Sequence, residues 1–271
     1  MRHLLITAAA VSTFAAQAFA ADAIYDPAPA PAPMEMAPVS SGWTGLYVGV
    51  QAGGAFNPSD PDDVDLRTNG FAFGGSALPG AFGSNFDSSF DSSFAGGAHI
   101  GYDYQMGSVV LGALADINAL DVSQTTSGFS STPAFYTATR DLDYLVTARL
   151  RAGYLVTPTA LAYATGGLAY GKVDYGFSTN SPAVVAPNPA AIVNNDENDF
   201  GYTVGAGMEV MVTDNLSFAG EYLYTNLGSG DSYTRLSGGP FGGGVGGSTD
   251  FVSDDDFDFH TVTAKLSYKF H

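Results

Sequence analysis

Six charged residues are spaced as if to meet one another: Asp116, Arg149, Arg151, Glu209, Glu221 and Lys265. Each lies inside a segment whose residues alternate between apolar and polar or small, and each falls in the polar set. Asp103 and His99 occupy the same kind of position in a neighbouring segment. Opposite charges gathered in a confined interior can do two things. They can pair and hydrogen-bond into a rigid plug, the condition under which buried charges are tolerated, or they can line a water-filled path as a selectivity ring.

Catalytic chemistry has little to draw on. The histidines are His3, His99, His260 and His271; no HExxH or GxSxG run occurs, and no Ser-His-Asp set can be assigned. His260 with Asp258 is the one pairing that qualifies as a candidate, and a single His beside an Asp does not make an active site. The expectation is therefore a protein that is not an enzyme and carries no cofactor. Acidic clusters occur at Asp60, Asp62, Asp63 and Asp65, at Asp196, Glu197 and Asp199, and at Asp254, Asp255 and Asp256. Carboxylates are suitable Ca²⁺ ligands. However, "DPDDVD" lacks the spacing and closing Glu of a calcium loop, so a solvated acidic surface is expected instead of a metal site. The Gly-rich run at 237–248 has no phosphate-cradle spacing.

The elements that must position the six charges follow from a period of two, which sends successive side chains to opposite faces of a strand. Eight segments from Gly42 onward show it. The first sets Leu46, Val48, Val50 and Ala52 against Tyr47, Gly49, Gln51 and Gly53. The second sets Phe94, Ala98, Ile100, Tyr102 and Tyr104 against Gly97, His99, Gly101 and Asp103. The third has Leu111, Ala113, Ala115 and Ile117 against Leu114, Asp116 and Asn118, and the fourth has Tyr144 to Tyr154 at every second position against Thr147, Arg149, Arg151 and Gly153. The fifth, "LAYATGGLAYGKVDY", has too many small residues for its facing to be read. The sixth sets Tyr202, Val204, Ala206, Met208 and Val210 against Glu209 and its neighbours. The seventh sets Phe218, Tyr222 and Tyr224 against Ala219 and Glu221. In the last, Thr261, Thr263, Lys265, Ser267 and Lys269 alternate with Val262, Ala264, Leu266, Tyr268 and Phe270.

Connections after the second, fourth and sixth segments are short, at 105–108, 157–159 and 213–215. Those after the first, third, fifth and seventh are long, at about 57–93, 121–141, 176–199 and 225–257. Four long loops alternating with tight turns would be odd in a soluble sandwich and suit an outer-membrane barrel, with long loops on the external side. A bilayer offers no partner to an open sheet edge, so the sheet must close. The expected fold is all-β: an eight-stranded antiparallel up-and-down transmembrane β-barrel. Its interior is just wide enough to be filled by side chains, which favours the plug. A soluble secreted ligand-binding barrel would alternate in the same way, and the loop asymmetry speaks against it. Tyr104, Tyr154, Tyr222, Tyr224 and Phe270 fall where aromatic girdles meet the membrane interface.

The chain's start agrees. Arg2 and His3, the apolar run 4–16 and Ala18-Phe19-Ala20 read as a secretory signal over residues 1–20, cleaved after Ala20. Residues 21–41 read as a Pro/Ala-rich periplasmic spacer, and 42–271 as the barrel with four long external loops. The formal charge is −18 for the whole chain; without Arg2, 27 acids face eight Lys and Arg, or −19, which excludes nucleic acid as a partner. No cysteine is present, and Gly (34), Phe (19) and Tyr (15) are unusually abundant for a soluble domain.

"WTGLYVGVQAGGAF", "ARLRAGYLVTPTALAYATGGLAYGKV", "YTVGAGMEVMVTDNLSFAGEYLYTNLG" and "LSYKF" resemble the small outer-membrane β-barrels of alphaproteobacteria. These are the porin-family or outer-membrane immunogenic proteins, with an OmpA-like transmembrane barrel, and the resemblance runs from Trp43 to Phe270. It implies a Gram-negative outer-membrane location among lipid and surface-exposed loops that would meet an extracellular partner. It also implies a role in envelope integrity, with a narrow passive channel for small solutes or ions as the alternative. It further implies that the barrel-assembly machinery reads the terminal aromatic strand, which here puts the signal on Tyr268 and Phe270. Two positions depart from the family pattern: Leu114 stands where members often have Glu, and His271 follows the terminal Phe.

Overall fold

The computed structural model describes residues 42–58, 64–69, 85–130, 134–184, 190–193, 196–228, 233–237, 241, 247–253 and 256–270. The expected signal and spacer, His271, and Asp60, Asp62, Asp63, Asp254 and Asp255 lie outside them, as do the side chains of Asp65, Asp196, Glu197 and Asp199.

Eight strands carry the alternating segments: β1 (Gly45–Phe56), β4 (Ser93–Met106), β5 (Val109–Ser130), β6 (Ala134–Thr157), β7 (Ala160–Thr179), β9 (Asp196–Met211), β10 (Leu216–Asn226) and β13 (Asp258–Phe270). Each pairs antiparallel with its sequence neighbour in this set. β5 closes on β6, and β13 on β1 with Leu46 opposite Phe270 and Phe56 opposite His260. The result is a closed up-and-down ring of eight strands. The three tight connections lie at one end; that between β4 and β5 is only Gly107-Ser108, with Gly107 at φ 62°, a conformation glycine adopts without a steric penalty.

The facing is as the alternation predicts. Outward positions form a continuous apolar band, from Leu46, Tyr104, Val109, Tyr154 and Phe270 at the short-turn end to Phe56, Phe94 and Phe200 at the other, all exposed. In β7 the inward residues are Leu161, Tyr163, Thr165, Ala169 and Val173. Leu168 points outward, completing the one segment whose facing the sequence leaves open.

The long connections differ from expectation. Residues 121–141 are for the most part not a loop: β5 and β6 stay paired to Ser130 and Ala134, leaving three residues between them. β6 has 24 residues, more than twice the roughly 9–11 a tilted membrane strand needs. "DVSQTTSGFS" and "TATRDLDY" lack the apolar-outward signature because outside a hydrocarbon layer that face meets water. Their Thr and Ser still suit a pleated surface. A register shift between Ala119 and Val122, matched on β6 by one between Leu142 and Leu145, marks the change of environment.

The other connections also contain strands. β3 (Phe86–Asp91) extends the line of β4 along β5. β2 (Val64–Asn69), β8 (Ala191–Val193), β11 (Tyr233–Ser237) and β12 (Ser248–Ser253) form a second sheet in the order β2-β12-β11-β8. That order repeats β1-β13-β10-β9 of the ring, because each short strand resumes its long neighbour after a break. Leu66, Leu236 and Phe251 of the second sheet pack with Tyr136 and Ala138 of β6, Phe177 of β7, Phe86 of β3, and Phe241, making an apolar core above the ring. Phe251 stacks edge-on to Phe177 at 6.0 Å, and Phe241 to Tyr136 at 5.5 Å.

Candidate functional site

The inward side chains fill the ring in layers. At the short-turn end Trp43, Val110, Leu155, Leu161 and Tyr163 make an apolar floor, with Met211 packed against it. Trp43 is anchored by its indole N–H, which donates to the Pro158 carbonyl at 3.1 Å.

Directly above, Arg151 donates through Nε and Nη2 to both oxygens of Asp103 (2.9 and 2.5 Å) and through Nη1 to Glu209 at 2.8 Å. Lys269 lies 3.1 Å from Asp103 and 3.3 Å from Glu209. Ser217 donates at 2.7 Å to the Glu209 oxygen that faces Lys269. Two cations thus meet two carboxylates. The Arg151 guanidinium is sandwiched between the rings of Tyr47 and Tyr163, 5.2 and 4.9 Å from their centroids, and Lys269 sits 4.5 Å from the centre of the Trp43 ring.

A second set of four lies higher in the lumen. Arg149 bridges Asp116 at 2.5 Å and Glu221 at 2.9 Å, and Lys265 meets Glu221 at 2.6 Å. Thr147 and Asn118 donate to Asp116 at 2.8 and 2.7 Å, and the Tyr163 hydroxyl donates to Glu221 at 2.9 Å. The polar chain continues through Gln51, which donates to Asn118 at 2.5 Å, and His99, whose ring nitrogens contact Gln51 at 3.1 Å and Ser267 at 2.8 Å. All eight charged residues of the two quartets are buried. Each quartet holds two positive and two negative groups, so the membrane-level lumen carries eight charges that sum to zero.

Glycines on the inward faces make the room. A Cβ on Gly112 would collide with the Asp103 carboxylate and the Tyr102 carbonyl, and one on Gly207 would collide with the Tyr163 ring. Above the second quartet Leu120, Val122, Leu142, Leu145, Val173, Leu227, Phe257 and Phe259 close the lumen with an apolar cluster. The hollow of about 600 Å³ lined by Leu46, Ile100, Ala113, Ala115, Leu150 and Leu168 lies on the outer face of β1 and β4 to β7.

The six charges singled out in the sequence therefore meet, joined by Asp103, whose face also predicts it. Lys269 is the residue missing from the sequence set, although its period-two relation to Lys265 places it on the same face. Leu114 is buried opposite Arg149, which takes its carboxylates from β5 and β10. Tyr104, Tyr154, Tyr222 and Phe270 are exposed on the outer wall and Tyr224 is half-buried there; Tyr268 and Phe270 touch edge-to-face at 5.0 Å. His260 also lies on the outer wall, stacked on Phe56 and taking Tyr222 as its hydrogen-bond partner at 2.5 Å. Asp258, its suggested partner, instead contacts Asn57. Among the described residues no group of three His, Asp or Glu could hold a metal ion.

Residues 6–270 match the outer membrane protein beta-barrel domain family. The chain belongs to this family. It is 32% identical over 282 aligned residues to the 31 kDa outer-membrane immunogenic protein of Brucella melitensis, covering 98% of this chain and 99% of that one. It is 29% identical to the 25 kDa outer-membrane immunogenic protein of Brucella abortus, covering 84% and 86%. Among solved structures it is similar to OprG of Pseudomonas aeruginosa, with 15% identity and a TM-score of 0.46 over 84% of this chain and 97% of that one. The ring is thus an outer-membrane β-barrel, its apolar band faces lipid, and its relatives are named as outer-membrane antigens and not as enzymes.

Proposed function

We propose that this outer-membrane β-barrel is a structural, surface-exposed envelope protein that turns over no substrate and conducts no solute. The observation that carries this reading is the lumen: two charge-neutral, hydrogen-bonded quartets stacked between an apolar floor and an apolar upper cluster. A conducting path would need water along the charges, and here the charges bond mainly to one another and to protein hydroxyls and amides. The long-strand end, with its second sheet, is the part offered to the surroundings. This suits a surface antigen, the role that the names of the Brucella relatives describe. Tyr104, Tyr154 and Phe270 serve as the girdle at the periplasmic interface and Tyr222 and Tyr224 as the girdle at the outer one; Tyr268 and Phe270 present the assembly signal.

Planar-bilayer conductance of the purified protein tests the sealed lumen. No discrete steps are expected. Steps whose size changes in Arg149→Gln or Glu209→Gln would establish a channel and overturn the proposal.

A further inference from the structure

The two lumen lysines both belong to β13, the last strand in the chain, and everything they neutralise belongs to strands that precede it. Asp103 is on β4, Asp116 on β5, Arg149 and Arg151 on β6, Glu209 on β9 and Glu221 on β10. Taken without β13, the first quartet is Arg151 with Asp103 and Glu209, and the second is Arg149 with Asp116 and Glu221. Each carries −1. The inward residues of β1, the strand that β13 must join to close the ring, are Tyr47, Gly49, Gln51, Gly53 and Ala55, none of them charged.

We propose that β13 is the counter-charge of the barrel, and that the Lys265–Lys269 spacing selects the register in which the ring closes. Alternation cannot make that selection. A slip of one residue turns every apolar side chain inward and is excluded, but a slip of two preserves both faces. On β13 the outward set Val262, Ala264, Leu266, Tyr268 and Phe270 and the inward Thr261, Thr263 and Ser267 would accept a two-residue slip with little change in apolar burial. The lysines would not. A two-residue slip moves each ammonium by about 7 Å along the strand. That distance breaks contacts of 2.6 Å to Glu221, 3.1 Å to Asp103 and 3.3 Å to Glu209, and leaves two buried quartets each one cation short. A four-residue slip exchanges one lysine into the other's place and still leaves one quartet unbalanced. Only the native register, with Gln51 opposite Lys265 and Tyr47 opposite Lys269, balances both.

The chain has no cysteine, so introduced pairs report register cleanly. Val50 faces Leu266 on the outer wall, and a two-residue slip would bring Ala264 to Val50 instead. Protein refolded into detergent micelles is oxidised as Val50→Cys/Leu266→Cys and, separately, as Val50→Cys/Ala264→Cys. In the parent background the 50–266 bond should dominate by at least about tenfold, the ratio that corresponds to about 1.4 kcal/mol between registers. In Lys265→Gln/Lys269→Gln the two yields should become comparable. Should that variant fail to fold, adding Glu209→Gln and Glu221→Gln removes the uncompensated charge. Heat-modifiable folding should then return, with both cross-links forming. A 50–266 bond that keeps its tenfold dominance without the lysines overturns register selection, and a quadruple variant that stays unfolded overturns the counter-charge role.

Discussion

Replacing Arg151 by Met removes one cation from the lower quartet while keeping most of the side chain's volume. Asp103 and Glu209 would then share Lys269 alone, leaving one buried carboxylate charge uncompensated. Breaking a buried pair in this way costs about 3–5 kcal/mol, and the lost contacts with the Tyr47 and Tyr163 rings act in the same direction. Adding Asp103→Asn restores neutrality, since Glu209 and Lys269 remain 3.3 Å apart. The double variant should therefore be more stable than Arg151→Met alone, with a coupling on the order of 2–3 kcal/mol between the two positions. Trp43 is the only tryptophan in the chain and its ring touches Lys269, so its fluorescence reports this quartet during urea unfolding in micelles. A single variant within about 1 kcal/mol of the parent, or a double variant with strictly additive losses, would refute the buried network as described.

Gly112→Ala should lower the unfolding midpoint by about 1–3 kcal/mol in equivalent stability, because the new methyl group meets the Asp103 carboxylate; chemical denaturation in micelles measures it. Tyr163→Phe removes one hydrogen bond to a charged group and should cost about 1.5–3 kcal/mol by the same assay, with the barrel still closed on heat-modifiability gels. Phe251→Ala empties the core above the ring and should open the second sheet while sparing the lumen. Trypsin should then cut at Arg235 in a protein that remains heat-modifiable, and equal protease resistance in variant and parent would count against an apolar core there.

What the sequence could and could not reveal follows from the kind of information each pattern holds. A period of two reports which face a residue occupies. It therefore assigns Arg149, Arg151, Glu209, Glu221, Lys265 and Asp116 to one interior, and it does the same for seven of the eight segments. It does not report height, which is why the split into two neutral quartets, and the place of Lys269 beside Asp103, emerge only from the register of eight strands. Segment 121–141 was hidden for a different reason. Where a strand leaves the hydrocarbon layer its outer face no longer needs to be apolar, and the Thr- and Ser-rich continuation looks like a loop. The small-residue segment of β7 left its facing unreadable because Ala and Gly satisfy either side. The second sheet joins short strands from three connections, and its β2–β12 and β8–β11 pairings span sequence separations that no local pattern encodes.

The breaks between β1 and β2, β8 and β9, β10 and β11, and β12 and β13 divide the ring and the second sheet into two parts that can change separately. An insertion between Phe56 and Val64, or between Asn226 and Tyr233, alters the outward-facing sheet without moving Gln51 from Lys265 or Ala219 from Lys265. The second sheet can therefore be lengthened or replaced while the closing register, and the balance of charge it sets, stays as it is.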